Sequence, residues 1–184
     1  QHASSDPFGR IGGEAINGLR VVQEKSNLYI LGKPGGGKTT FLKYVAVKAA
    51  VQTISKVPIM VTLRQWADSG LALIPFITER FDVCGFPAPQ RFVEKLLGSG
   101  EAIVLFDGLD EVSETKGERA NLTRQIRDFV DKYDHTQCLI TCRIAASDFS
   151  FERFNYVELA DFNEKQIETF VRNWFRTSLG ERDL

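Results

Sequence analysis

Two kinds of hydrophobic pattern take turns along this chain. Short apolar runs occur at Leu28-Tyr-Ile-Leu31, Val57-Pro-Ile-Met-Val-Thr-Leu63, Ala102-Ile-Val-Leu-Phe106, Cys138-Leu-Ile-Thr141 and Tyr156-Val-Glu-Leu159. Runs of this length without polar alternation suit strands buried on both faces of a parallel sheet. Pro58 falls near the start of its run, where a missing N–H is tolerated. Between the runs, apolar residues recur at helical spacing. Residues 14–24 carry Ala15, Ile16, Leu19 and Val22, interrupted by Gly18. Helices are predicted at 39–51, 71–81 and 89–97; the last has Pro89 in its first turn, Phe92, Val93, Leu96 and Leu97 on one face, and Gly98 as its stop. Residues 118–133 form an amphipathic helix with Leu122, Ile126, Phe129, Val130 and Tyr133 on one stripe. Asn163 caps a final helix, with Gln166 three residues on and Ile167, Phe170, Val171 and Trp174 as its stripe.

Strands alternating with helices predict an α/β fold, a three-layer sandwich with a mostly parallel central sheet flanked by helices. At 184 residues, 43% hydrophobic and 26% charged, the chain is sized and composed for one folded domain. Residues 1–13 read as a polar linker, 14–178 as the core, and 179–184 as the truncated start of a following helical module. The chain begins at Gln1 and its single Met is Met60, so it reads as a piece of a longer protein. A net charge of -1 gives no global basic field, and nucleic acid is not indicated. No apolar run approaches a membrane span, and no signal peptide is visible. Cys84, Cys138 and Cys142 have neither disulfide-framework nor zinc-site spacing. On one strand the last two would lie roughly 13 Å apart, too far for a bridge. All three read as buried reduced thiols of a cytoplasmic protein.

Three clusters fall at strand ends, where ligands bind in open α/β sheets. The first is Gly32-Lys-Pro-Gly-Gly-Gly-Lys-Thr-Thr40, a P-loop pattern after a strand and before a helix. Here Gly32, Pro34, Gly35, Gly36, Gly37 and Thr40 shape a loop whose N–H groups face phosphate. Lys38 is placed to reach the β- and γ-phosphates, and the Thr39 hydroxyl to ligate Mg²⁺. In the second, the buried run 102–106 ends in Asp107, a candidate Mg²⁺ ligand, followed by Asp110 and Glu111, which could orient or deprotonate a water. The third is Thr141-Cys142-Arg143, where Arg143 offers a cation to phosphate. Gly9, Gly12 and Gly13 follow no strand and suggest at most a bend near the base. His2 and His135 read as surface residues, Arg119, Arg124 and Arg127 as a solvated helix face, and Trp66 and Trp174 as packing residues.

Together these motifs resemble the NACHT-domain family. Phe106-Asp-Gly-Leu-Asp-Glu111 looks like its Walker B, the glycine loop like its Walker A, and Thr141-Cys-Arg143 like its sensor 1. The resemblance covers most of residues 11–178 and implies the nucleotide-binding core of an NLR-like STAND switch; the loop favours a bacterial source. Such proteins hold ADP in a closed monomer and exchange it for ATP when a sensor domain is triggered. They then assemble with other protomers and activate an attached effector, in innate immunity, cell death or antiphage defence. The resemblance assigns ATP/ADP and Mg²⁺ as ligands, Gly37, Lys38 and Thr39 to phosphate and metal, Asp107 to metal, Asp110 and Glu111 to slow hydrolysis, and Arg143 to sensing. It departs at Ile144, where many members have Pro, and the helical modules that follow the family core are not in this sequence. Two alternatives stay open: a nucleotide-locked scaffold without turnover, and an AAA+ motor. A GTPase is disfavoured because no Asn-Lys-x-Asp is present.

Overall fold

The computed structural model describes residues 16–114, 117–146 and 150–161, with the single positions 164, 168 and 172. The expected linker, the glycines at 9, 12 and 13, His2, the helix capped by Asn163 with Trp174, and the segment 179–184 lie outside the described residues or almost wholly so. The described chain runs α1 (Gly18–Glu24), β1 (Asn27–Gly32), α2 (Lys38–Ala50), β2 (Val57–Thr62), α3 (Leu63–Ser69), α4 (Leu73–Val83), α5 (Pro89–Gly98), β3 (Ala102–Asp107), α6 (Glu118–Lys132), β4 (Gln137–Arg143) and β5 (Asn155–Glu158). Short 3-10 turns occupy Leu109–Glu111 and Ile144–Ala146. Among the described residues no helix is long and apolar enough to cross a membrane.

The five strands form one sheet in the order β2-β3-β4-β1-β5, and every pairing is parallel. Successive side chains of a strand point to opposite faces, and the two resulting cores are distinct. Tyr29, Leu31, Val104, Phe106, Cys138, Ile140 and Cys142 pack with the apolar faces of α3, α4, α5 and α6. Leu28, Ile30, Ile103, Leu105 and Leu139 pack with Val22 of α1 and Leu42, Val45 and Ala49 of α2. Helices therefore cover both faces, which makes three layers. All six residues of β3 are buried. Each large apolar side chain so buried contributes about 1.5–3 kcal/mol relative to exposure, so the carboxyl end of β3 is firmly held.

The β2 edge is also built with care. Val57 donates its N–H to Glu101 O at 2.7 Å, so residues 57, 59 and 61 address β3. Pro58 sits in the alternate, outward set, where its missing N–H leaves no ladder bond unmade.

Two expectations are corrected. The predicted strand through Leu63 stops at Thr62, and Leu63 opens an unforeseen helix, α3. Leu63 and Trp66 are three apart, both buried, and α3 ends at Gly70 in a left-handed conformation. Trp66 donates its indole N–H to Leu71 O at 2.9 Å and its ring lies 6.3 Å from that of Phe106. The three thiols also differ. Cys138 and Cys142 are buried and unbridged, whereas Cys84, just past α4, is exposed.

Candidate functional site

The register aligns the carboxyl ends of four strands. Gly32 of β1 is opposite Arg143 of β4, and Thr62 of β2 is opposite Asp107 of β3. Because β4 lies between β1 and β3, its last residues sit between the glycine loop and the acids.

The loop leaves β1 at Gly32 and turns through a Gly36 N–H to Lys33 O bond of 3.1 Å. Gly37 caps α2 with φ at 83°, a left-handed conformation that disfavours any residue with a Cβ. The first helical bond runs from Phe41 N–H to Gly37 O, at 2.8 Å. The N–H groups of Lys38, Thr39 and Thr40 therefore have no partner within the helix, and no side chain caps them. A helix start of this kind favours anions. The Lys38 ammonium lies across the loop on the carbonyl oxygens of Gly32, at 3.0 Å, and Lys33, at 2.9 Å. Pro34, Gly35, Thr39 and Thr40 are exposed, while Gly36, Gly37 and Lys38 are half-buried. Lys33 itself pairs with Asp161, which follows β5.

Opposite the loop, Asp107 is only 9% exposed. Its Oδ1 accepts from the Thr141 hydroxyl at 2.8 Å, and the Thr141 oxygen accepts from Gly108 N–H at 2.9 Å. One carboxylate oxygen is thus committed to holding β3 against β4. Gly108 has φ at 79°, and a Cβ there would come within 3.2 Å of Glu111 Oε2. The turn at Gly108 therefore lets the Glu111 carboxylate fold back beside the end of β3. Glu111 is exposed; its N–H donates to Gly108 O at 3.0 Å, and among the described residues its carboxylate has no hydrogen-bond or ion-pair partner. Asp110 differs completely. Its side chain is 6% exposed, Oδ1 accepts from Arg143 N–H at 2.9 Å, and Oδ2 pairs with Arg143 Nε at 2.8 Å.

The expected site residues thus share one edge, but Arg143 meets Asp110 there, a pairing the sequence reading did not foresee. A further correction concerns Arg119, read as part of a solvated face. It is buried, donating to Val112 O and Asp110 O. The sequence carries a signal for this, since Arg119 shares one helical stripe with the core residues Leu122 and Ile126. Arg124 and Arg127 are exposed as expected, and His135 is exposed beside Asp134.

The uncommitted groups at this edge are amide N–H donors, a Thr39 hydroxyl and carboxylate oxygens of Asp107 and Glu111. Hard oxygen donors beside an anion-binding helix start fit a magnesium ion shared with phosphate.

The sequence matches the NACHT domain family over residues 26–178. No curated protein sequence matches it. Among solved structures the chain is similar to AMPPCP-bound DnaA from Aquifex aeolicus, with 13% identity and a TM-score of 0.50 over 86% of this chain and 49% of that one. It is similar to a DNA replication initiation factor at 14% identity and a TM-score of 0.54, again over 86% and 49%. A STAND protein with a tetratricopeptide repeat sensor from Pyrococcus horikoshii aligns at 16% identity and a TM-score of 0.42, over 86% of this chain and 25% of that one. The chain spans about half the length of the first two structures. At these identities the first two likenesses establish the fold alone.

Proposed function

The chain belongs to the NACHT family and is a nucleotide-binding P-loop NTPase domain, and from that premise we propose that it is the ATP/ADP-binding core of a regulatory switch that hydrolyses ATP slowly. The observation that carries this reading is the opposition, across β4, of an open anion-binding helix start and an uncommitted acid, Glu111. Gly32, Pro34, Gly35, Gly36, Gly37 and Thr40 wrap the phosphates, and Lys38 exchanges its loop carbonyls for β- and γ-phosphate oxygens. Thr39 and Asp107 hold Mg²⁺, which when bound neutralises charge on the phosphates. Glu111 orients the attacking water and accepts its proton. Asp110, bound twice by Arg143, acts as that arginine's anchor. Arg143 is then a sensor that trades Asp110 for the γ-phosphate.

In the whole protein this core controls assembly with other protomers and an attached effector under a sensor domain, in the cytoplasm, as part of immunity or antiphage defence. The test is ATP turnover and nucleotide affinity in wild type, Lys38→Ala and Glu111→Gln. Lys38→Ala is expected to lose binding; Glu111→Gln is expected to bind ATP while losing turnover by about 100-fold or more, the usual scale for a general base. Turnover and binding left unchanged in both variants sink the reading. A second reading, a nucleotide-locked scaffold, is favoured by the Arg143–Asp110 pair, which engages the arginine with protein. Wild type that binds ADP tightly but shows no Lys38-dependent turnover selects it.

A further inference from the structure

Arg119 lies in the first turn of α6 and turns inward. Its Nε and Nη2 donate to Val112 O at 3.1 and 2.9 Å, Nη2 also donates to Asp110 O at 3.1 Å, and Nη1 pairs with the carboxylate of Glu114. The side chain is 7% exposed, whereas that of Glu114 is 69% exposed. The two carbonyls it holds flank Glu111. Asp110 lies in a 3-10 turn of three residues and Val112 caps its end; such a turn is too short to fix its own geometry. A planar guanidinium can serve both peptide units at once; an ammonium lacks that fork. Stability alone gives little reason for it, because an apolar residue on the Leu122 and Ile126 stripe would bury as well and buried charges are weak stabilisers.

We propose that Arg119 is a positioning residue for hydrolysis, clamping the peptide units on either side of Glu111 so that its carboxylate stays beside the end of β3. Through Asp110 the same clamp sets the anchor of Arg143. This rests on the reading of Glu111 as the hydrolytic acid. Arg119 touches no part of the nucleotide loop and reaches Arg143 only through Asp110, so its loss acts far more on turnover than on affinity.

The test compares wild type with Arg119→Lys, Arg119→Met and Glu114→Gln, all in the 184-residue chain. Three quantities are read: ATP affinity with Mg²⁺, kcat, and amide hydrogen exchange over residues 109–113. Both Arg119 variants are expected to keep affinity within about threefold while kcat falls about 10- to 100-fold, as misplacing a catalytic group by about 1 Å does. Exchange over 109–113 speeds up while residues 32–40 keep their protection. Glu114→Gln, which spares the carbonyl contacts, is expected to keep kcat within about threefold. Should Arg119→Met not fold, Arg119→Lys decides. Wild-type kcat in Arg119→Lys, unchanged exchange over 109–113, or a kcat loss matched by an equal loss of affinity overturns the proposal. A wild type without Lys38-dependent turnover overturns the hydrolysis reading and this role together; an active wild type with fully active Arg119 variants overturns this role alone.

Discussion

Asp110 and Glu111 are neighbours with the same chemistry, and the fold gives them opposite surroundings. Asp110 is sealed against Arg143, and Glu111 stands open. Their substitutions should therefore separate stability from turnover. Asp110→Ala removes two bonds to the half-exposed Arg143 and is expected to cost about 1 kcal/mol, water taking over part of the lost contact. Glu111→Gln removes no contact and is expected to stay within about 0.5 kcal/mol of wild type. Thermal denaturation of the two decides it; equal losses contradict the division of roles. The sequence could not draw this distinction, because the partner that decides it lies 33 residues away. Arg119 was legible in principle from its place on the α6 stripe, but a charge on an amphipathic helix is by default assigned to solvent. The thiols give a second contrast. Burial pushes the Cys138 and Cys142 thiols up, and at Cys142 the hydrogen bond with Tyr29 opposes it only in part. Since the thiolate is the reactive form, native protein is expected to be alkylated at Cys84 alone, as peptide mapping would show. Modification of Cys138 or Cys142 at the rate of Cys84 contradicts the burial.

Among the elements, the strands were the most readable because β1, β3 and β4 are apolar on both faces, so no partial exposure blurs the signal. The β2–α3 junction was not readable. Thr62 passes straight into Leu63 with no breaker, and seven residues hold too few turns to reveal a helical period. The glycine loop was legible as a motif; its dependence on a left-handed Gly37 needs the backbone. Gly37→Ala is expected to destabilise the loop by about 1–2 kcal/mol, the penalty for placing an L residue there, and to weaken ATP binding at least in proportion. Calorimetric titration measures it, and wild-type affinity speaks against a preformed cradle. By contrast Leu105→Ala, in the core between β3 and α2, is expected to lower stability by about 2–5 kcal/mol while leaving ATP affinity in the folded fraction intact.

At the level of the whole molecule, the layered α/β architecture followed from the alternation of patterns, whereas the strand order did not. Pattern alone cannot say that β4 separates β1 from β3, and that insertion is what gives the edge its two sides. The buried thiols also bear on the whole fold. The folded state keeps them protonated at a pH where an unfolded cysteine, with pKa about 8.5, ionises. Above that pH the unfolded chain binds fewer protons, so their contribution to stability is present below about 8.5 and is lost as pH rises. The strand order has a consequence in time as well. β1 bears the glycine loop, yet both its neighbours come late: Asn27 accepts from Cys138 N–H across 111 residues, and β5 follows still later. During synthesis the ribosome releases β1 long before it has anything to pair with, and such distant closures are slow. The loop is thus written early but supported late, and ATP loading is expected only after β4 and β5 have been made. A chain ended after Tyr133 is expected to bind no ATP in equilibrium dialysis; retained binding there would show the loop to be self-sufficient.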